Sequence, residues 1–192
     1  MKKIIFASAF LLTMLNAGDV KPIIQVGYQG GGDRLITIAH PDRNYGINGG
    51  DGISIEAGMA WDNPHSNLEF QALAGYKVDA DNADNGDVTW DSVPLSLLAL
   101  YKADDWKFGG GLTYHLAPQL DGGFGGDVIN DDYEDAVGSV AQIQYAPSEA
   151  FAIGLRATFI EYELKSDPTK KTSGNNIGII GTVKFGTDYD YR

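Results

Sequence analysis

The sequence contains no cysteine. That absence removes disulfide staples, a thiolate nucleophile and any Cys-based zinc site from consideration. Positive charge is scarce as well: 14 Lys and Arg stand against 26 Asp and Glu, a formal net charge of −12. Such a surface repels phosphates, so nucleic acid is not an expected partner. Histidine occurs three times, which leaves few imidazoles for catalysis or metal. Long hydrophobic runs are missing beyond the N-terminus, where a spanning helix would require ~20 apolar residues.

The exception at the N-terminus is informative. Met1 to Ala17 opens with Lys2 and Lys3, runs through IIFASAFLLTML and ends at Asn16-Ala17. A basic start, an apolar stretch too short to span and a small residue at the cut are the layout of a secretory signal peptide. Cleavage after Ala17 removes two Lys and no acid, which changes the balance to 12 against 26 and the charge to −14. No Cys follows the run, which excludes a lipoprotein anchor. Residues 18–192 then have the length of a single domain.

Alternation dominates that domain. Trp106 to Leu116, WKFGGGLTYHL, puts Trp106, Phe108, Gly110, Leu112, Tyr114 and Leu116 on one face and Lys107, Gly109, Gly111, Thr113 and His115 on the other. A period of two is the signature of a strand. Seven further segments repeat it: Pro22 to Gly30, Gly52 to Trp61, Asn67 to Val78, Val88 to Tyr101, Ala136 to Ala146, Ala150 to Tyr162 and Asn175 to Phe185. Their lengths suit tilted strands that cross a bilayer in ~9 to 11 residues. Long polar connections follow the first, third, fifth and seventh segments; DNPHS, KADD and PSE follow the others. Long and short loops in strict alternation predict an all-β, eight-stranded antiparallel up-and-down barrel that spans a membrane.

The two faces differ in chemistry. One carries Ile24, Val26, Ile53, Ile55, Leu95, Leu97, Ile143, Leu155, Ile177, Ile179 and their alternates without a charge; the other carries Gln25, Glu56, Glu69, Arg156, Thr158, Thr182 and Lys184. Arg156 facing lipid near the midplane would cost about 2 to 4 kcal/mol, so the polar face is expected to line the lumen. A lipocalin-like barrel or a sandwich would show the same period with the faces reversed. Glycines on the polar face, among them Gly27, Gly58, Gly75, Gly109, Gly111 and Gly154, argue for a narrow interior, because a solvated wall has no use for residues that weaken strands. Trp61, Tyr101, Trp106, Tyr145, Phe151 and Phe185 gather near the short turns, and Tyr28, Tyr76, Tyr114 and Phe159 lie towards the long loops. They read as two membrane-interface girdles.

With NLEFQALAGYKVDADNADNGD, WKFGGGLTYHLAP and a last strand carrying Asn176, Gly178, Val183 and Phe185, the chain resembles the small outer-membrane β-barrels of Gram-negative bacteria, the OmpA/OmpX-like superfamily. The resemblance covers the whole mature length and is nearest to functionally uncharacterised members. It implies outer-membrane lipids and lipopolysaccharide as surroundings and the barrel assembly machinery as a partner in biogenesis. It brings no catalytic residue and no cofactor. Gly181, and the tail GTDYDYR after Phe185, depart from the last-strand pattern of that class.

Eight strands enclose a space that side chains nearly fill. The expected lumen network is Glu56, Glu69, Gln71, Lys77, Lys107, Thr113, His115, Gln142, Gln144, Arg156 and Lys184, with opposite charges neutralising one another. On the fourth segment, the parity of Trp90 and Leu98 turns bulk inward unless a bulge intervenes. His65 and Ser66 are adjacent in a short turn, and since neighbours on a strand point to opposite faces they are badly placed as a base and nucleophile pair. His115 with Thr113 is the better candidate for a polar rim site; His40 falls in the first long loop. The acidic stretch DADNADNGD fails the calcium-loop pattern, since Ala83 and Asp84 take its fifth and sixth places. Asn85-Gly86 marks a hairpin tip, and the long loops read as a solvated, mobile surface. The expected function is structural or surface-interacting without catalysis, with a narrow pore and a lipid-modifying enzyme as rivals. Oligomeric state is not legible.

Overall fold

The computed structural model describes residues 19–39, 44–62, 65–83, 86–124 and 127–186. The signal-peptide segment, His40, Asp84-Asn85 and the tail from residue 187 lie outside the described residues. Thirteen strands are present among them: β1 (Asp19–Gly30), β2 (Arg34–Ala39), β3 (Asn44–Asn48), β4 (Gly52–Asp62), β5 (Leu68–Ala83), β6 (Gly86–Ala103), β7 (Trp106–Phe124), β8 (Asp127–Asp132), β9 (Ala136–Tyr145), β10 (Phe151–Phe159), β11 (Glu161–Leu164), β12 (Asp167–Ser173) and β13 (Asn176–Lys184). Eight of these close on themselves in the order β1-β4-β5-β6-β7-β9-β10-β13-β1, and every pair is antiparallel. The eight-stranded all-β barrel expected from the alternation is therefore the observed fold.

Register sets the shape. Paired partners followed once around the barrel run Gln29, Gly178, Arg156, Gln142, Gly109, Leu100, Glu69, Asp62 and back to β1 at Asp19, ten residues from the start. That stagger makes the strands tilt. Tight curvature explains the inward glycines more directly than lumen width does. A Cβ on Gly58 would overlap the Ala72 carbonyl oxygen, and one on Gly111 would overlap that of Leu97. The neighbouring backbone occupies the space that a side chain would need.

Burial follows the pleat: β9 alternates buried and exposed along its whole length. Ile55, Leu97, Leu112, Val137, Ile177 and Ile179 are exposed, while Glu56, Glu69, Gln71, Lys77 and Arg156 are buried. A water-soluble chain of this kind would be inside out, and the exposed apolar belt is what a lipid-facing wall requires.

Above the belt the structure differs from the expectation of mobile loops. β2 pairs with β3, β11 pairs with β12, and β8 extends the sheet along the upper half of β7. β5, β6 and β7 run on as strands to Ala83, Gly86 and Phe124. The seventh segment is interrupted at Ile160, so Tyr162 belongs to β11 and not to the barrel wall. These additions pack around Ile47, Val88, Trp90, Leu120, Tyr133, Ala136, Ile160 and Tyr162, a buried apolar core at the loop end of the barrel. A bulge makes this possible: pairing slips between Asp91 and Val93 opposite Ala117, whose φ is 43°. The inward set on β7 changes there from Thr113 and His115 to Pro118 and Leu120. On β6 the parity continues unbroken, and Trp90 is fully buried.

Candidate functional site

The lumen is built in tiers. Nearest the short turns, Glu69 on β5 accepts hydrogen bonds from Lys107 Nζ (2.7 Å), Lys184 Nζ (2.6 Å) and Gln71 Nε2 (2.6 Å). Asp62 on β4 accepts from Lys184 (2.8 Å) and Lys102 (2.7 Å). Lys184 thus bridges two carboxylates, and the network ties together β4, β5, β6, β7 and β13. Paired in this way, buried charges offset part of the desolvation they suffer.

Next comes a small apolar ring, Ile23, Ala60, Leu73, Leu98 and Val140. Beside it Arg156 reaches from β10 across the interior. Its Nη1 donates to Gln25 Oε1 (2.9 Å) and Glu56 Oε1 (2.8 Å), and Nη2 donates to Ser96 Oγ (2.7 Å). Gln25 and Gln144 both donate to Thr182 Oγ1, at 2.9 and 2.7 Å. Thr113 shares a hydrogen bond with Ser96 (3.2 Å), whereas His115 Nδ1 faces Tyr162 and Ser92. Gln142 lies opposite Arg156 in the register, and its amide is buried without a partner among the described residues.

The upper tier holds Lys77, which donates to the Gly50 carbonyl at 2.6 Å. His115 Nδ1 lies 2.8 Å from the Tyr162 hydroxyl and 3.3 Å from Ser92 Oγ. Above them the core closes over the lumen, with Trp90 edge-on to Tyr133 (centroids 5.2 Å apart) and Tyr162 (5.3 Å), and Trp90 Nε1 donating to the Gly49 carbonyl (3.1 Å).

No family model matches the chain, and no curated protein does. Among solved structures it is similar to Ail, the attachment invasion locus protein of Yersinia pestis, in its complex with the heparin analogue sucrose octasulfate. The identity is 9%, the match covers 88% of this chain and 98% of that one, and the TM-score is 0.56. A second structure of Ail gives 10% identity, the same coverages and a TM-score of 0.54. Neisserial surface protein A matches at 13% identity over 86% of this chain and 97% of that chain, with a TM-score of 0.49. The fold is that of a small eight-stranded outer-membrane β-barrel.

On the outside of this barrel, Tyr101, Trp106, Tyr145, Phe151 and Phe185 are exposed near the short turns and Trp61 is half-buried there. Trp106 packs on Tyr145 at 5.3 Å. Tyr28, Tyr76, Tyr114 and Phe159 are exposed at the opposite end of the belt. Two of these tyrosines donate to carboxylates just above them, Tyr76 to Asp91 (2.9 Å) and Tyr114 to Asp135 (3.0 Å).

Several residues of the lumen escaped the sequence reading. Asp62 and Lys102 each stand at the start of a different short turn and look solvated in sequence, and Ser92 and Ser96 carry no charge to draw notice. Tyr133 stands in an acidic loop and Tyr162 at the very end of the seventh segment. The available signal was their aromatic character amid polar neighbours, at positions that neither girdle uses.

Proposed function

We propose that the chain is an outer-membrane barrel protein that acts through its external surface, with a lumen that neither conducts nor catalyses. One observation carries this reading. Arg156 ties β10 to β1, β4 and β6 across the interior, and the Trp90–Tyr133–Tyr162 core lies above it. Solutes would have to break buried ion pairs and part that core in order to pass. Lipid and lipopolysaccharide would meet the apolar belt, and Tyr28, Tyr76, Tyr114 and Phe159, with Trp61, Tyr101, Trp106, Tyr145, Phe151 and Phe185 at the other end, would act as the interface girdles.

A catalytic reading has one point in its favour, the contact of Ser92 with His115. Both groups are buried, and the same Nδ1 faces the Tyr162 hydroxyl, so a substrate has no approach to the pair. The test is single-channel conductance of the refolded mature protein in a planar bilayer, with folding verified by gel mobility. The expected record is silent. Discrete steps that change on Lys107→Ala would overturn the reading and make the lumen a pathway.

A further inference from the structure

The external cap has a free strand edge at β8. This strand is the last of its sheet, paired with β7 along one side and, among the described residues, with no strand along the other. Two hydrogen bonds fix which way its backbone faces. Tyr133 N–H donates to the Pro118 carbonyl (2.9 Å), towards β7, whereas the Asp132 carbonyl accepts from Lys165 N–H (2.9 Å) on the far side. Backbone groups alternate between the two edges of a strand. Val128 and Asn130 therefore turn both N–H and C=O away from β7, as Asp132 does its carbonyl. An edge of this kind is a template for a further strand unless Pro or Lys guards it, and β8, DVINDD, carries neither. Val128 is 85% exposed.

The chain itself begins the missing pairing and then abandons it. Leu164 stands opposite Tyr133 in an antiparallel bridge, Glu134 N–H donates to the Glu163 carbonyl (2.8 Å), and the backbone turns away after Lys165. These few residues show what the edge selects. Leu164 packs against the Trp90–Tyr162 core, while Lys165 is exposed on the outer face beside Asp132. Both faces continue along β8. Ile129 packs against the core, and Asn130 and Asp132 lie on the outer face opposite Asp121 and Gln119 of β7.

We propose that the free edge of β8 takes up an extended segment of a partner polypeptide as an added antiparallel strand, with apolar side chains turned towards Ile129 and basic ones outward towards Asp121 and Asp132. This rests on the reading of the external surface as the acting part of the protein, and it names the chemistry of the partner. A second copy of this chain does not fit the edge, because it would bring the same acids alongside one another.

The probe is a short fluorescent peptide of alternating valine and lysine, titrated into the refolded mature protein in uncharged detergent and followed by anisotropy. Saturable binding is expected. Asn130→Pro removes an edge N–H without touching the β7 ladder and should weaken that binding by about tenfold or more. The wild type supplies a second test should the variant fail to fold. Residues of an added strand that bond to Val128 and Asn130 share their outer face, so N-methylation of the lysines should abolish binding and N-methylation of the valines should spare it. Absence of binding overturns the proposal, as does equal binding of a valine–glutamate peptide or equal loss with either set of N-methyl groups. Conductance steps in a bilayer count against the surface reading alone, so the two failures are distinguishable.

Discussion

Arg156 and Glu56 are where the lumen can be weighed. Arg156→Met keeps the length of the side chain and removes three hydrogen bonds, those to Gln25, Glu56 and Ser96. The loss leaves the Glu56 carboxylate buried with, among the described residues, only Ser96 Oγ, at 3.3 Å, as a donor. Breaking a buried pair from one side costs about 3–5 kcal/mol, because the surviving charge is uncompensated. Glu56→Gln attacks the same pair from the other side. If the pair acts as a unit, the double variant should cost less than the sum of the two single ones by about 1–3 kcal/mol. It should remain below wild type, since Gln25 Oε1 and Ser96 Oγ have still lost a charged donor. Guanidinium unfolding in lipid vesicles, followed by tryptophan fluorescence with gel mobility as a second probe, measures all four corners of the cycle. Costs that add to within about 0.5 kcal/mol would refute the reasoning and mean that the two groups are separately solvated.

Three further expectations follow from particular contacts. Trp90→Ala removes a fully buried ring and should weaken the external core by about 3–5 kcal/mol; hydrogen exchange should rise in β3, β8 and β11 while the barrel amides stay protected, and a uniform rise would refute a separable cap. Gly58→Ala should block folding through overlap with the Ala72 carbonyl, whereas Gly181→Ala, whose Cβ would meet nothing within 4 Å, should fold as wild type; gel mobility distinguishes them. Alkali should open the same external core: burial raises the phenols of Tyr133 and Tyr162, so their contribution is complete below the unfolded tyrosine value of about 10 and is lost as pH climbs through it towards the folded values. Tyrosinate absorbance for these two residues should therefore lag behind the exposed tyrosines and appear together with increased proteolysis of the cap.

How much of this was legible depended on which physical rule acted. Strand alternation needs only neighbours in sequence, so the barrel, the outward belt and the buried side of Glu69, Lys107 and Arg156 could be read directly. Partners could not be. Glu69 meets Lys184 across 115 positions and Arg156 meets Glu56 across 100, and those meetings depend on the stagger of the closed sheet, which no local pattern records. His115 shows the same limit. Parity placed it inward, and the same alternation carries Tyr162 inward through Thr158 and Ile160, but their meeting across 47 positions depends on how the closed sheet brings β7 and β11 together.

The external core also changes what the polar loops mean. A loop rich in Asp and Gly reads as solvated because most of its side chains are. A few apolar side chains suffice to order it when the barrel rim holds their partners at a fixed distance. Val88 and Trp90 come from β6, Leu120 from β7, Ile47 from β3 and Tyr162 from β11, so five separate chain segments, counting Tyr133 after β8, contribute to one cluster. None of those segments could bury its apolar residue alone. Their acidic residues are then displayed outward from an ordered base: Asp91 and Asp135 accept from the phenols of Tyr76 and Tyr114. Fixed carboxylates on a rigid rim lose little conformational entropy on contact, which is the property that a surface-acting barrel with a filled lumen requires.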